Sequence, residues 1–159
     1  MTSFPELTSI FVLAVIAGAL LPFAVRPILH RYNMVDIPNE RSSHTMPTYR
    51  GMGLATAAAT LLAFLVATLL GWTYRSAESL QLAITIAAAM LFSLVLGWLE
   101  DIRGVSIVRR AALQLVIGVL VSVSFATVQG TNPLLVVVGA VFIAGYINVA
   151  NFMDGINGI

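Results

Sequence analysis

The stretch PLLVVVGAVFIAGYINVANFMDGINGI (residues 133–159) decides the fold class, because it joins a long apolar run to a polar ending that an ordinary membrane helix does not need. At 1.5 Å per residue, a helix over residues 133–153 reaches about 30 Å, the thickness of the hydrocarbon layer, where a helix is the open-ended element that satisfies its own backbone. Asn148, Asn151 and Asp154 recur three residues apart in this run, so they drift over about 120° and occupy one side of the helix, with Asp154 nearest the surface. Each asparagine carries an amide that must find a partner in hydrocarbon. The stripe therefore favours a lined site over a mere helix terminus. Gly155 and Gly158 break the helix after the aspartate and expose backbone groups beside it.

The rest of the chain has the same character. Of its 159 residues 59% are hydrophobic, well above the roughly 45–50% of a soluble domain, and the mean hydropathy is +0.97. Only 9% of residues are charged and the net charge is +1, so nucleic-acid binding is not expected. There is no cysteine, which excludes disulfides, thiolate metal sites and thiol redox chemistry and leaves Asp, Glu, Asn and His as metal ligands. Charges bound five helix-length apolar segments, residues 7–25, 51–74, 79–99, 111–128 and 133–153. The expected fold is thus an all-α integral membrane protein of about five transmembrane helices. Residues 7–25 lack the basic n-region and small-residue cleavage site of a signal peptide, so a retained first helix is favoured.

Residues 73–78 and 129–133 read as short turns and residues 26–50 as a long polar loop. Arg26, Arg31, Arg41 and Arg50 fall in the first connection, Arg103, Arg109 and Arg110 in the third, and only Arg75 in the second. The positive-inside rule then places the N-terminus outside and the C-terminus in the cytoplasm. Trp72, Tyr74 and Trp98 fall at helix ends, as in an interfacial aromatic belt.

This topology brings three polar clusters to one membrane face. In VDIPNERSSHTMPTYRGMG (residues 35–53), Pro38 and Pro47 restrict the backbone, and Asp36, Arg41, His44 and Arg50 supply charge and hydrogen-bonding groups. Gly51 and Gly53 would let the chain approach a ligand closely. An ordinary solvated loop is the competing account. In GWLEDIRGVSIVRRAALQ (residues 97–114), the adjacent carboxylates of Glu100 and Asp101 repel and need a cation or nearby arginines to stay ionised together. Such a pair suits Mg²⁺, which takes one or two carboxylates and completes its shell with water and phosphate oxygens. Charges snorkelling from a helix end are the plainer alternative. Gln114 lies one turn deeper than Arg110 on the same face, as a packing contact or part of a site. The third cluster is the stripe ending in Asp154. No nucleophile elbow, Walker-type loop or zinc motif is present, and His30 reads as an interfacial residue.

Together, DIPNERSSHTMPTYRGMG, GWLEDIRG with RRAALQ, and NVANFMDGINGI resemble the polyprenyl-phosphate N-acetylhexosamine-1-phosphate transferases, the glycosyltransferase family 4 enzymes, whose cousins are the phospho-N-acetylmuramoyl-pentapeptide transferases. The first motif is most similar to the branch that starts O-antigen. The resemblance implies transfer of a sugar-1-phosphate from a UDP-sugar to undecaprenyl phosphate, with Mg²⁺ or Mn²⁺ as cofactor, at the cytoplasmic face of the bacterial inner membrane. By the same resemblance Glu100, Asp101 and Asp154 are the catalytic acids, with Asp101 and Asp154 near the metal. Asn148, Asn151, Asn157, Arg109, Arg110, His44 and Arg50 are the substrate-binding candidates. The expected partners are these two substrates, the lipid bilayer and, as one option, a second copy of the chain in a homodimer. Residues 1–159 read as a single transmembrane domain matching the N-terminal half of a ten- or eleven-span enzyme, inactive when isolated. The chain departs from the family pattern at Glu100, where aspartate is usual, and at Tyr49 and Met52, where proline and glycine are usual. The competing classes are a small transporter or channel subunit, whose polar residues would be spread through the bilayer, and an inactive membrane fragment.

Overall fold

A computed structural model describes residues 4–38, 45–49, 51–70 and 76–154, with side chains described except at positions 4–7, 36, 48 and 150–154. Five helices follow in order: α1 (Phe4–Arg31), α2 (Gly53–Leu69), α3 (Ala77–Arg103), α4 (Ile107–Gln129) and α5 (Pro133–Asp154). Each packs on the next along the chain, and α4 with α5 forms the most extensive pair. Among the described residues three of them, α1 over Thr8–Arg31, α3 and α4, are long and apolar enough to cross a membrane. α2 has 17 residues, about 26 Å at the helical rise. Large apolar side chains such as Phe11, Phe23, Leu69 and Phe142 stand exposed around the bundle, as they do where the surrounding medium is lipid instead of water.

The fold corrects the segment boundaries expected from the sequence. Arg26, His30 and Arg31 belong to α1, because the helix runs through both Pro22 and Pro27 before it stops. It stops by local chemistry. Asn33 takes a left-handed conformation with φ of 51°, and the Met34 N–H reaches back to the Leu29 carbonyl at 3.0 Å, the bond that closes a helix C-terminus around a left-handed residue. Glu78, expected in a turn, sits in the first turn of α3, where a carboxylate favours the positive end of the helix dipole. Ser76 caps that helix, its hydroxyl accepting from the Ser79 N–H at 3.2 Å. The first connection is also not wholly irregular. Val35–Asp36 (β1) and Thr48–Tyr49 (β2) pair antiparallel, Val35 opposite Tyr49 and Asp36 opposite Thr48. Residues 39–44 between them, which include Arg41 and His44, lie outside the described residues, as do residue 50 and residues 71–75.

Small residues set the helix spacing. Ala55, Ala59, Ala63 and Ala67 recur every fourth position and are buried, so they lie along one face of α2. Between α4 and α5 the backbones come closer still: a Cβ on Gly118 would stand 2.4 Å from the Ala140 carbonyl oxygen, and one on Gly139 would stand 2.7 Å from the Ser122 Oγ. With lipid as solvent, this kind of close packing is a principal source of helix association.

Candidate functional site

The second polar cluster forms at the turn from α3 into α4. Gly104 ends α3 with φ of 68°, and Gly104, Val105 and Ser106 carry the chain straight into Ile107 of α4. So short a link sets the last turn of α3 beside the first turn of α4, and the Arg110 Nη1 donates to the Glu100 Oε1 in an ion pair. Glu100 and Arg110 keep 24% and 21% of their side-chain surface, so water still screens part of their attraction. The Arg110 Nε is buried and has no hydrogen-bond partner among the described residues. Arg109 is exposed.

The N-terminus of α4 is electropositive. α4 has no acid in its first turn, and Ser106 makes no side-chain cap, which leaves the first N–H groups of α4 without a helical or capping acceptor among the described residues. Arg109 and Arg110 then sit at the positive end of the helix dipole, an arrangement that costs each cation about 0.3–1 kcal/mol near the surface. Glu100 offsets part of that cost. An anion arriving at the turn would offset more, since a helix N-terminus with free N–H groups is a ready acceptor of negative charge.

The first polar cluster reaches the same place through Gly51. This residue holds φ of 83°, and a Cβ on it would lie 3.2 Å from the Asp101 Oδ2, 2.9 Å from the Met34 Cε and 3.4 Å from the Leu29 Cδ2. The glycine expected to admit a ligand is therefore packed against protein, with the carboxylate of Asp101 among its neighbours. Gly53 differs: nothing lies within 4 Å of its Cβ position, so no close approach requires it. Beneath Gly51 is a hydrophobic cluster in which Val25, Leu29, Met34 and Ala55 are buried and Leu21, Tyr49, Met52, Leu54 and Ile102 pack on them. Tyr49 and Met52, the departures from the family pattern, are both part of this core. Tyr49 also lies under the Arg26 guanidinium at 5.4 Å, a cation–π contact. The Tyr32 and Trp98 rings meet edge to face at 5.9 Å and 82°, tying the end of α1 to α3 one turn before Asp101.

The third cluster is placed by register. Gly118 faces Ala140 and Ser122 faces Gly139, so α4 and α5 run antiparallel. Eight residues back from Gly118 is Arg110, and eight residues on from Ala140 is Asn148. Both lie toward the site end of the pair. Asn148 is exposed. The helix continues through Asn151 to Asp154, carrying their backbone further toward that end; their side chains lie outside the described residues, as do Asp36, His44, Arg50 and Asn157. Gln114, one turn below Arg110, is 3% exposed. Among the described residues no group of three or more His, Asp or Glu side chains is placed to hold a metal ion.

A fourth polar cluster was not anticipated. At the opposite end of α3 and α4, the Gln81 Nε2 donates to the Thr127 Oγ1 at 3.1 Å and the Ser124 Oγ at 3.4 Å, and the Thr85 and Ser124 hydroxyls bond at 2.8 Å. Its signal was in the sequence as Gln81 and Thr85 one turn apart, with Ser124 and Thr127 three apart. These groups satisfy one another across the helix interface and so clamp the two helices together. The model of glycosyl transferase family 4 matches residues 82–159, which contain the second and third clusters. No curated protein and no solved structure matches the chain.

Proposed function

Over residues 82–159 the chain belongs to glycosyl transferase family 4, a family of transferases, and from that premise we propose that the protein moves an N-acetylhexosamine-1-phosphate from a UDP-sugar to undecaprenyl phosphate. A phosphate oxygen of the lipid attacks the sugar-bearing phosphorus of the nucleotide, the bond to the UMP phosphate breaks, and UMP leaves. Joining two polyanions in this way depends mostly on positioning and on neutralising phosphate oxygens.

The observation that carries the proposal is the meeting of Gly51, from the first cluster, with Asp101, at the turn where Glu100 and Arg110 pair. In this scheme Asp101 activates the lipid phosphate, and Arg109 and Arg110, with the open N-terminus of α4, take up negative charge. Asp154 acts near the diphosphate, with Asn148, Asn151, Asn157, His44 and Arg50 as substrate contacts. Mg²⁺ or Mn²⁺ fits a donor set of two carboxylates, because such ions are held by one or two protein acids plus substrate oxygens; Asp101 and Asp154 would hold it, and when bound it would neutralise phosphate charge. Five spans, an outside N-terminus and a cytoplasmic site in a bacterial inner membrane complete the proposal, with initiation of O-antigen or a related envelope glycan as the pathway.

The test is UMP release. Full-length protein in membranes, supplied with undecaprenyl phosphate and a panel of UDP-N-acetylhexosamines, should release UMP with at least one of them and cease on chelation of divalent metal. No release with any member would sink the proposal.

A further inference from the structure

The acidic pair of Glu100 and Asp101 is adjacent in sequence, yet the two side chains meet different surroundings. Asp101 has its Oδ2 beside the packed Gly51, over the core cluster that includes its neighbour Ile102. Glu100 reaches across the Gly104 link to the guanidinium of Arg110. One carboxylate faces the first cluster and the other is engaged with a cation on the next helix.

We infer that Glu100 is a positioning residue that holds Arg110, and that Arg110 so held presents its remaining donors to an anionic phosphate group, while Asp101 is the member of the pair that meets the reacting phosphate. This rests on the phosphoryl-transfer function proposed above. Two observations beyond the ion pair point the same way. The Nε of Arg110 is buried without a partner among the described residues, although a guanidinium carries five donors in a fixed fork. A buried, unmet donor is costly in a native protein and is met when a ligand supplies the acceptor. The turn that carries Arg110 is also the uncapped N-terminus of α4, so phosphate oxygens would meet backbone N–H groups and guanidinium together. Without Glu100, the long arginine side chain loses its fixed geometry, and bidentate recognition of phosphate depends on that geometry.

Non-additivity distinguishes positioning from a separate metal-ligand role, because residues acting through one another do not contribute independently. Detergent-purified full-length protein, free of metal, is titrated with farnesyl phosphate as the probe. Glu100→Gln and Arg110→Gln should each weaken binding about tenfold, the range for one charge-assisted contact, and the double variant should bind no more weakly than Arg110→Gln alone. The Mg²⁺ concentration for half-maximal UMP release should stay within about twofold of wild type in Glu100→Gln. Losses that add to about a hundredfold in the double variant would overturn the inference, as would a Glu100→Gln protein that binds the probe normally but needs far more Mg²⁺. Should Glu100→Gln fail to fold, Arg110→Lys replaces it: it keeps the cation without the fork and should weaken binding as Arg110→Gln does, and normal binding would overturn the inference. The two proposals fail separately. Non-additive binding losses without UMP release by wild type would retain the role of Glu100 and remove the transfer reaction; normal UMP release with additive losses would do the reverse.

Discussion

Gly51 and Asp101 are in contact distance across the end of the bundle: a Cβ on Gly51 would stand 3.2 Å from the Asp101 Oδ2, from a backbone whose φ of 83° already disfavours one. The glycine thereby supports the acid most central to the proposed chemistry. Gly51→Ala should cost about 1–3 kcal/mol from backbone strain. The Met34 methyl at 2.9 Å can swing aside, whereas displacing Asp101 should lower turnover further than the loss of folded protein explains. Gly53→Ala, in open space, is the control. Melting in detergent and UMP release per folded molecule decide it; unchanged turnover in Gly51→Ala would detach the glycine from the site.

The packing of α4 on α5 gives a contrast between two glycines. Gly118→Ala places a methyl 2.4 Å from the Ala140 carbonyl oxygen, on backbone that cannot swing away, and should destabilise by about 1–3 kcal/mol, as overpacking does. Gly97→Ala, inside α3 with nothing within 4 Å, should instead stabilise by about 0.5–1 kcal/mol from helix propensity. Thermal denaturation of the two variants should move in opposite directions, and a Gly118→Ala protein as stable as wild type would mean that the two helices are not so closely packed.

Ser106 and Asn132 flank the two ends of α4 and are both exposed. In this cysteine-free chain, single cysteines there report sidedness directly. With the proposed outside N-terminus, Asn132→Cys should react with an impermeant thiol reagent added to intact cells and Ser106→Cys should not. The opposite pattern would invert the topology, and labelling of both would mean that α4 does not span.

Asp101→Asn and Asp154→Asn should each reduce UMP release at least about a hundredfold in the full-length protein, the lower range for loss of one catalytic group. Each swap is nearly isosteric and removes the charge that would face metal or phosphate. Near-normal turnover in either would take that residue out of the mechanism.

The sequence alone determined what depends on composition and local spacing. Apolar runs of roughly bilayer length called for helices, and the adjacent acids Glu100 and Asp101 called for a cation, which Arg110 supplies to Glu100. It misplaced the end of α1, because Arg26 and Arg31 look like loop charges until Asn33 is seen to supply the stop. It overlooked the Gln81–Thr127 clamp, because nothing in one helix says which face its neighbour covers. Tertiary structure alone decided that Gly51 packs on Asp101 while Gly53 does not, and that α4 and α5 bring Arg110 and Asn148 toward the same end of the pair. Both depend on how far apart the helices sit and in what register, and that is set by which small residues let two backbones approach, a property of pairs of helices and not of any single one.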